Sequence, residues 1–280
     1  MLNQRIITAI FIAIVFIAVL ILSNPSFIFF LSAIIVMYAG WEWANLAGYC
    51  TFYAKLSYVS FMLGALILSG FLLGAHKPIS LDLVAGQAIL VYLIPWWGLA
   101  FLCIQSYPGS SFIWGSKFAR GVIGFLVLVP TWVAIVILAS LDNGKWLIFT
   151  VAAIVAISDI SAYFIGLKFG KCKLCHNVSP NKTWEGFLGA VVINLFLIIF
   201  LGIFLESNLI NWFMLFLLIM TTALFSALGD LLVSMMKRYR GIKDTGDILP
   251  GHGGILDRID GHTAAFPIFT LIFIYTNFQF

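Results

Sequence analysis

Charge is what this chain has least of. Lys, Arg, Asp and Glu make up 9% of its 280 residues, where a soluble domain carries about 25%. That shortage excludes a water-soluble globular enzyme, and no nucleic-acid partner is expected of a net charge of only +4. Cysteine is scarce too: Cys50 and Cys103 are too scattered to frame a disulfide scaffold. The chain has no polar stretch long enough for a separate soluble domain, and no repeat or low-complexity tract.

Apolar residues, in contrast, make up 62% of the chain, and mean hydropathy is +1.10. Runs near membrane-spanning length lie at 6–22, 27–46, 56–75, 84–104, 121–141, 146–166, 187–205, 212–236 and 263–279. Glu42 interrupts the second and Pro95 the fourth. The first has the character of a secretory signal, but Leu22-Ser23-Asn24-Pro25 is a poor cleavage site, so it reads as an uncleaved anchor. The expected fold is an all-α polytopic membrane protein with about nine transmembrane helices. It forms one integrated unit, with N-terminal helices in 1–145 and a catalytic region in 146–280.

If nine helices alternate in direction, thirteen of the fifteen basic residues fall on one side, leaving Lys77 and Lys145 on the other. The positive-inside rule then places the N-terminus and the loops near 167–186 and 237–262 in the cytoplasm. The expectation is a protein of the cell's inner membrane whose active site faces the cytoplasm from the C-terminal half.

The scarce charge is concentrated. Between Lys237 and Asp260 lie Lys237, Arg238, Arg240, Lys243, Asp244, Asp247, Asp257, Arg258 and Asp260, which is 9 of 26 charged residues. Bases there can hold phosphates, and carboxylates can hold the divalent cation that polyphosphates carry. Asp159 and Asp230 sit inside apolar segments, where an ionisable group costs about 2.5–3.5 kcal/mol and usually has a partner. The bland alternative for either is a structural hydrogen bond between helices. Asp230 is not alone, however: Ser226, Asp230, Ser234 and Lys237 fall at helical spacing and form one polar stripe. Beyond the loop, His252-Gly253-Gly254 strips side chains from a turn before a helix, so backbone N–H groups can approach an anion. Asp257 and Asp260 follow on one face. Helix capping would explain the two acids but not the turn. A Mg2+ ion held by Asp230 and Asp257 beside a triphosphate explains both. In the other loop, Thr183, Trp184, Glu185 and Gly186 make an ordinary helix start, and Lys182 remains over as a phosphate contact.

These residues carry a resemblance. The run Asp230, Ser234, Lys237-Arg238, Lys243-Asp244, Gly246, Pro250-Gly251-His252-Gly253-Gly254, Asp257-Arg258 and Asp260 resembles, without a gap, the signature of the phosphatidate cytidylyltransferases, or CDP-diacylglycerol synthases. Ser158-Asp159 with Ala162-Tyr163-Phe164 and Gly166, and Ser179-Pro180 with Lys182 to Gly186, resemble two upstream motifs of that family. The likeness covers about 150–280 by motif. Before it, Trp41-Glu42-Trp43 is the one familiar spot. The resemblance implies transfer of a cytidylyl group from CTP to phosphatidate in the lipid bilayer, giving CDP-diacylglycerol and pyrophosphate for phospholipid biosynthesis. It admits a homodimer. The residues expected to carry the chemistry are Asp230 and Asp257 (metal ligands) with Lys237 and Arg238. Substrate contacts are expected from Asp159, Lys182, Thr183, Glu185, Ser234, Lys243, Asp244, His252, Gly253, Gly254, Arg258 and Asp260.

Three other activities compete with this one. A CDP-alcohol phosphatidyltransferase is excluded because no Arg or acid follows Gly261 in the required places. A CTP-dependent polyprenol or phytol kinase shares the substrate problem but would transfer the γ-phosphate. A cation or proton transporter would use Asp159 and Asp230, but leaves the glycine turn and the basic loops unexplained. Cys172-Lys-Leu-Cys175-His176 departs from the family pattern. It imitates a haem attachment motif or half a zinc site, in a loop expected to be cytoplasmic and without a further ligand nearby.

Overall fold

The computed structural model describes residues 13–75, 81–204, 208–248 and 253–276. Its helices are α1 (Ala13–Leu22), α2 (Pro25–Ala47), α3 (Phe52–Leu72), α4 (Leu83–Val91), α5 (Leu93–Gln105), α6 (Ser111–Trp114), α7 (Lys117–Ala139), α8 (Gly144–Phe169), α9 (Trp184–Phe204), α10 (Leu209–Tyr239), α11 (Leu256–Ile259) and α12 (His262–Thr276). Among the described residues seven helical stretches are long and apolar enough to cross a membrane, with α4 and α5 counted as one stretch over Leu83–Gln105. Two shorter apolar helices, α1 and α12, lie where the first and last apolar runs were expected.

The helix limits follow local chemistry. The Asn24 carboxamide, the Thr51 hydroxyl and the Ser116 hydroxyl accept the N–H groups of Phe27, Ala54 and Ala119, starting α2, α3 and α7. Pro25 occupies the first turn of α2, where its missing N–H costs nothing. The break between α4 and α5 falls at Tyr92. Pro95, three residues on, cannot donate to the turn before it. Glu42, by contrast, does not interrupt α2; it is buried within it at 2% exposure.

With apolar faces on both lipid and protein sides, polar contacts and small residues fix how the helices meet. Trp43 Nε1 on α2 donates to the Arg120 carbonyl (2.8 Å), and Tyr58 Oη on α3 donates to that of Gly121 (2.9 Å), both on α7. The Thr131 hydroxyl of α7 reaches the Thr263 carbonyl of α12 at 3.0 Å. Asn194 Nδ2 on α9 donates to Ser158 Oγ on α8 at 2.9 Å. The closest approach of α8 and α9 needs glycine: a Cβ on Gly186 would stand 2.6 Å from the Ala162 carbonyl oxygen. α7 is the central post of the bundle, packed by α2, α3, α4, α8 and α12.

The all-α expectation needs one correction. The polar stretch between α8 and α9 is an antiparallel hairpin of β1 (Lys173–Cys175) and β2 (Ser179–Thr183), pairing Lys173 with Thr183 and Cys175 with Ser179. A short polar segment joining two long helices satisfies its backbone most economically by pairing with itself. Pro180 is tolerated because β2 has only one partner strand. The Cys172–His176 insert therefore builds strand β1 and the turn that follows it.

Candidate active site

The hairpin is fastened at several points. Arg238 Nε on α10 donates to the Val178 carbonyl (3.2 Å), Asn177 Nδ2 to that of Tyr107 (3.2 Å), and the Trp184 N–H to that of Cys172 (2.9 Å). The Glu185 carboxylate accepts the N–H groups of Lys171 and Cys172 at 3.0–3.2 Å. Thr183 is buried and its hydroxyl accepts the Gly186 N–H, capping α9. Thr183 and Glu185, expected to touch substrate, thus also build the frame that holds Lys182.

Lys182 ends over α10, its ammonium 2.5 Å from Asp230 Oδ2. Ser234, one turn on, donates its hydroxyl to Asp230 Oδ1 (3.1 Å), so half of the polar stripe is already used on this one carboxylate. The pair borders a cleft of about 770 Å3. Lys173, Asn181, Lys182 and Thr183 of the hairpin line it with Asp159 and Asp230. Phe187, Ala190, Met220 and Leu224, from α9 and α10, give it apolar wall. Asp159, Asp230 and Asp260 are all within electrostatic reach of Lys182. Burial alone would lower the Lys182 ammonium's pKa, but Asp230 beside it outweighs this and holds it above the usual lysine range. Both side chains nonetheless keep over a quarter of their surface open, 28% and 27%.

A second ion pair, Lys237 Nζ with Asp257 Oδ1 at 2.8 Å, is closed, with side-chain exposures of 11% and 4%. Asp257 Oδ2 accepts the Thr245 N–H (2.8 Å), the Gly254 N–H (3.0 Å) and the Thr245 hydroxyl (3.1 Å). Burial would raise the Asp257 carboxyl; the Lys237 ammonium and these N–H donors outweigh it and hold it below the ordinary carboxylate range. Glu42 completes the knot from α2. Its Oε2 lies 2.9 Å from the Thr245 hydroxyl and accepts the Leu256 N–H at 2.8 Å, and its Oε1 accepts the Ile255 N–H at 3.1 Å. Gly253 adopts φ +80°, and a Cβ there would stand 2.8 Å from Asp257 Oδ2, so only glycine lets this turn fold onto the carboxylate.

The structure brings Asp159, Lys182, Ser234, Asp230 and Asp260 together, and joins Lys237, Asp257, Gly253 and Gly254 in the adjoining knot. Lys237 links the two, since it is bonded to Asp257 and within electrostatic reach of Asp230 and Asp260. Arg258 is exposed and acts electrostatically on Asp159. Lys243 and Asp244 are exposed on the loop between α10 and α11. His252 lies outside the described residues. Sequence reading missed Glu42 and Thr245. The available signal was an acid inside an apolar run, which almost always has a function or a partner.

For the expected Mg2+, the test is the chemistry of the donors. Among the described residues no group of three or more His, Cys, Asp or Glu side chains is arranged to hold a metal by itself. Asp230 nevertheless opens on the cleft, Asp159 and Asp260 bring further negative charge, and the buried Ser226 hydroxyl on the same wall has no hydrogen-bond partner among the described residues. Hard oxygen donors with excess negative charge fit a divalent cation whose remaining ligands are phosphate and water. Asp257 as it stands has both oxygens engaged.

Known proteins give the same reading. A phosphatidate cytidylyltransferase of Pseudomonas aeruginosa is 37% identical over 273 residues, covering 97% of either chain. One of Haemophilus influenzae is 33% identical over 291 residues, covering 98% of this chain and 99% of its own. One of Bacillus subtilis is 37% identical over 158 residues, about half of either chain. The model of the cytidylyltransferase family matches residues 3–276. With part of the signature lining the cleft, part forming the adjoining knot, and the match running nearly end to end, the chain belongs to the cytidylyltransferase family, enzymes that transfer nucleotidyl groups.

Proposed function

We infer that this chain transfers the cytidylyl group of CTP to phosphatidate, producing CDP-diacylglycerol and pyrophosphate. The observation that carries the reading is the cleft itself, which combines a hairpin lysine paired with a carboxylate inside an apolar helix and walls of apolar helix side chains. A nucleotide triphosphate suits the charged pair and acyl chains the apolar walls.

In the reaction a phosphate oxygen of phosphatidate attacks the α-phosphorus of CTP. The new P–O bond forms as the bond from the α-phosphorus to the α,β-bridging oxygen breaks, and pyrophosphate departs. The attacking phosphate is already anionic, so no side chain has to remove a proton. The obstacle is repulsion between two polyanions, which positioned cations offset. Lys182 turns from Asp230 to the CTP phosphates. Lys237 and Arg238 steady the departing charge, Arg238 through the guanidinium nitrogens other than the one bound to Val178. Gly253 and Gly254 with His252 present backbone N–H groups, and Lys243, Asp244 and Arg258 frame the nucleotide from the loop. Asp230 and Asp257 would hold Mg2+, with Asp257 released when Lys237 turns to phosphate; the bound ion would supply Lewis-acid neutralisation of the phosphate oxygens.

The basic residues support nine spans with the N-terminus and the cleft on the cytoplasmic side of the inner membrane. The decisive experiment is incubation of the purified protein with phosphatidate, Mg2+ and α-labelled CTP. Label in the lipid is expected; label recovered in CDP would replace this reading with a lipid kinase. For the orientation, Cys172 and Cys175 should resist impermeant thiol reagents in intact cells and react after permeabilisation, and labelling of intact cells would invert it.

A further inference from the structure

Two arginines near the cytoplasmic ends of α7 and α10 take no part in the cleft. Arg120, in the first turn of α7, is only 5% exposed. Arg240 caps the end of α10. Their charges act on each other. The Nε of each is buried and has no hydrogen-bond partner among the described residues. Neither belongs to the two ion pairs there, which are Lys182–Asp230 and Lys237–Asp257. The segments outside the described residues hold one acidic side chain, Glu206, which precedes the start of α10, whereas Arg240 follows its end.

A cation drawn out of water beside a second cation, with no carboxylate at hand, is costly unless something anionic joins them. The Tyr239 ring offsets part of this: it sits 5.0 Å from the Arg120 guanidinium and is fixed by its hydroxyl's bond to the Gly115 carbonyl (3.2 Å). A π face leaves the in-plane N–H donors free, and those are the ones that fit an oxyanion. Lys117, one turn before Arg120, passes the same Gly48 turn as the Arg120 guanidinium and adds a third cation. Tyr49, with its hydroxyl 3.4 Å from the Lys117 carbonyl, and Trp114, whose ring is 5.0 Å from that of Tyr239, surround the group. Aromatic rings among cations are what a headgroup-level site contains. None of these residues lines the cleft of Lys182 and Asp230.

We propose that Arg120 and Arg240, with Lys117 at the rim, form a second phosphate-binding site, separate from the cleft, that takes the phosphate of an anionic lipid headgroup or a free polyphosphate such as pyrophosphate. The bound phosphate accepts from both guanidinium groups, relieving their mutual repulsion, and ties the end of α10 to the start of α7. The site does not depend on the reaction proposed above, and binding alone tests it.

Purified full-length protein in detergent is titrated with phosphatidylglycerol and, separately, with inorganic pyrophosphate, with phosphatidylcholine as the neutral control and native mass spectrometry as the readout. Two charge-assisted contacts are at stake, so R240Q and R120Q should each lower affinity roughly ten- to a hundredfold for one of the two probes, while K182A leaves that component unchanged. The probe that loses affinity identifies the source. Arg240 is half-exposed, so R240Q decides the matter if R120Q does not fold, and the thermal transition of each variant monitors this. Wild-type affinity of folded R240Q for both probes would overturn the proposal.

Discussion

Two ion pairs of the same chemistry stand near each other in this protein and differ in how the surroundings treat them. Lys182–Asp230 is open, with over a quarter of each side chain exposed and a cleft beside it. Lys237–Asp257 is closed, its carboxylate enclosed by three further donor contacts and backed by Glu42. A pair that keeps part of its surface open is better screened and contributes less to stability than a closed one, so less is lost when a phosphate takes one partner away. A buried pair with every oxygen occupied behaves in the opposite way: removing one partner strands a charge and costs about 3–5 kcal/mol. The open pair is suited to direct exchange with a ligand; the closed one also holds the loop between α10 and α12 in shape, and on the proposed mechanism it parts only as phosphate and metal replace the partners.

The sharpest way to break that contrast is to neutralise the two carboxylates separately. Asp230→Asn should lower turnover about a thousandfold with little change in the thermal transition. Asp257→Asn should lower turnover similarly and also destabilise the fold. The double variant should be little slower than Asp230→Asn, because the two act as one unit; multiplicative losses would separate them. EDTA should reproduce the loss, with Mg2+ restoring activity and the larger Ca2+ doing so poorly.

Glu42→Gln probes the closed region from the other end of the chain. An amide oxygen accepts in place of one carboxylate oxygen, but its NH2 group then faces the donors on the other side. Stability should fall by about 2–4 kcal/mol, measured by denaturant unfolding in detergent. An unchanged midpoint would make the Glu42 contacts incidental.

Lys182→Ala should leave the melting temperature near the wild-type value and weaken apparent CTP affinity roughly ten- to a hundredfold. An unaltered CTP dependence would return Lys182 to the status of a loop charge. The smallest effect is in acid. Because the folded Asp257 carboxyl is held below its unfolded value of about 3.9, its contribution is full above that pH and is lost as pH falls through the folded value. Wild type should therefore lose stability relative to Asp257→Asn on acidification below about pH 4, and parallel curves would contradict the assignment.

The same two regions show what could be read from residues alone. The helices were legible because each is a long apolar run, and the stripe from Ser226 to Lys237 was legible because helical spacing is local. Lys182 stood out as a base left over from an ordinary helix start. The hairpin did not, since Lys173–Thr183 has no apolar alternation and its strands are three and five residues long. Glu42 could be noticed but not placed: its partner Thr245 is 203 positions away, and a contact over that separation leaves no periodicity. Lys237 and Asp257 had their residues named but their pairing hidden, for the same reason.

The length of α10 works as a depth gauge. Its 31 residues extend about 46 Å, against a hydrocarbon thickness of about 30 Å, so about 16 Å of it stands clear of the acyl region or is taken up by tilt. Charge favours the end bearing Lys237, Arg238 and Arg240 as the one that stands clear. Asp230, nine residues before Tyr239, is about 13 Å from that end; if that end is the one that protrudes, the carboxylate would sit at the level of the glycerophosphate groups. The lipid substrate would not have to rise out of its leaflet, and the nucleotide would not have to sink into it. Shortening or lengthening α10 by one turn beyond Lys237 would leave this level unchanged, whereas a turn removed before Ser226 would shift it by about 5 Å.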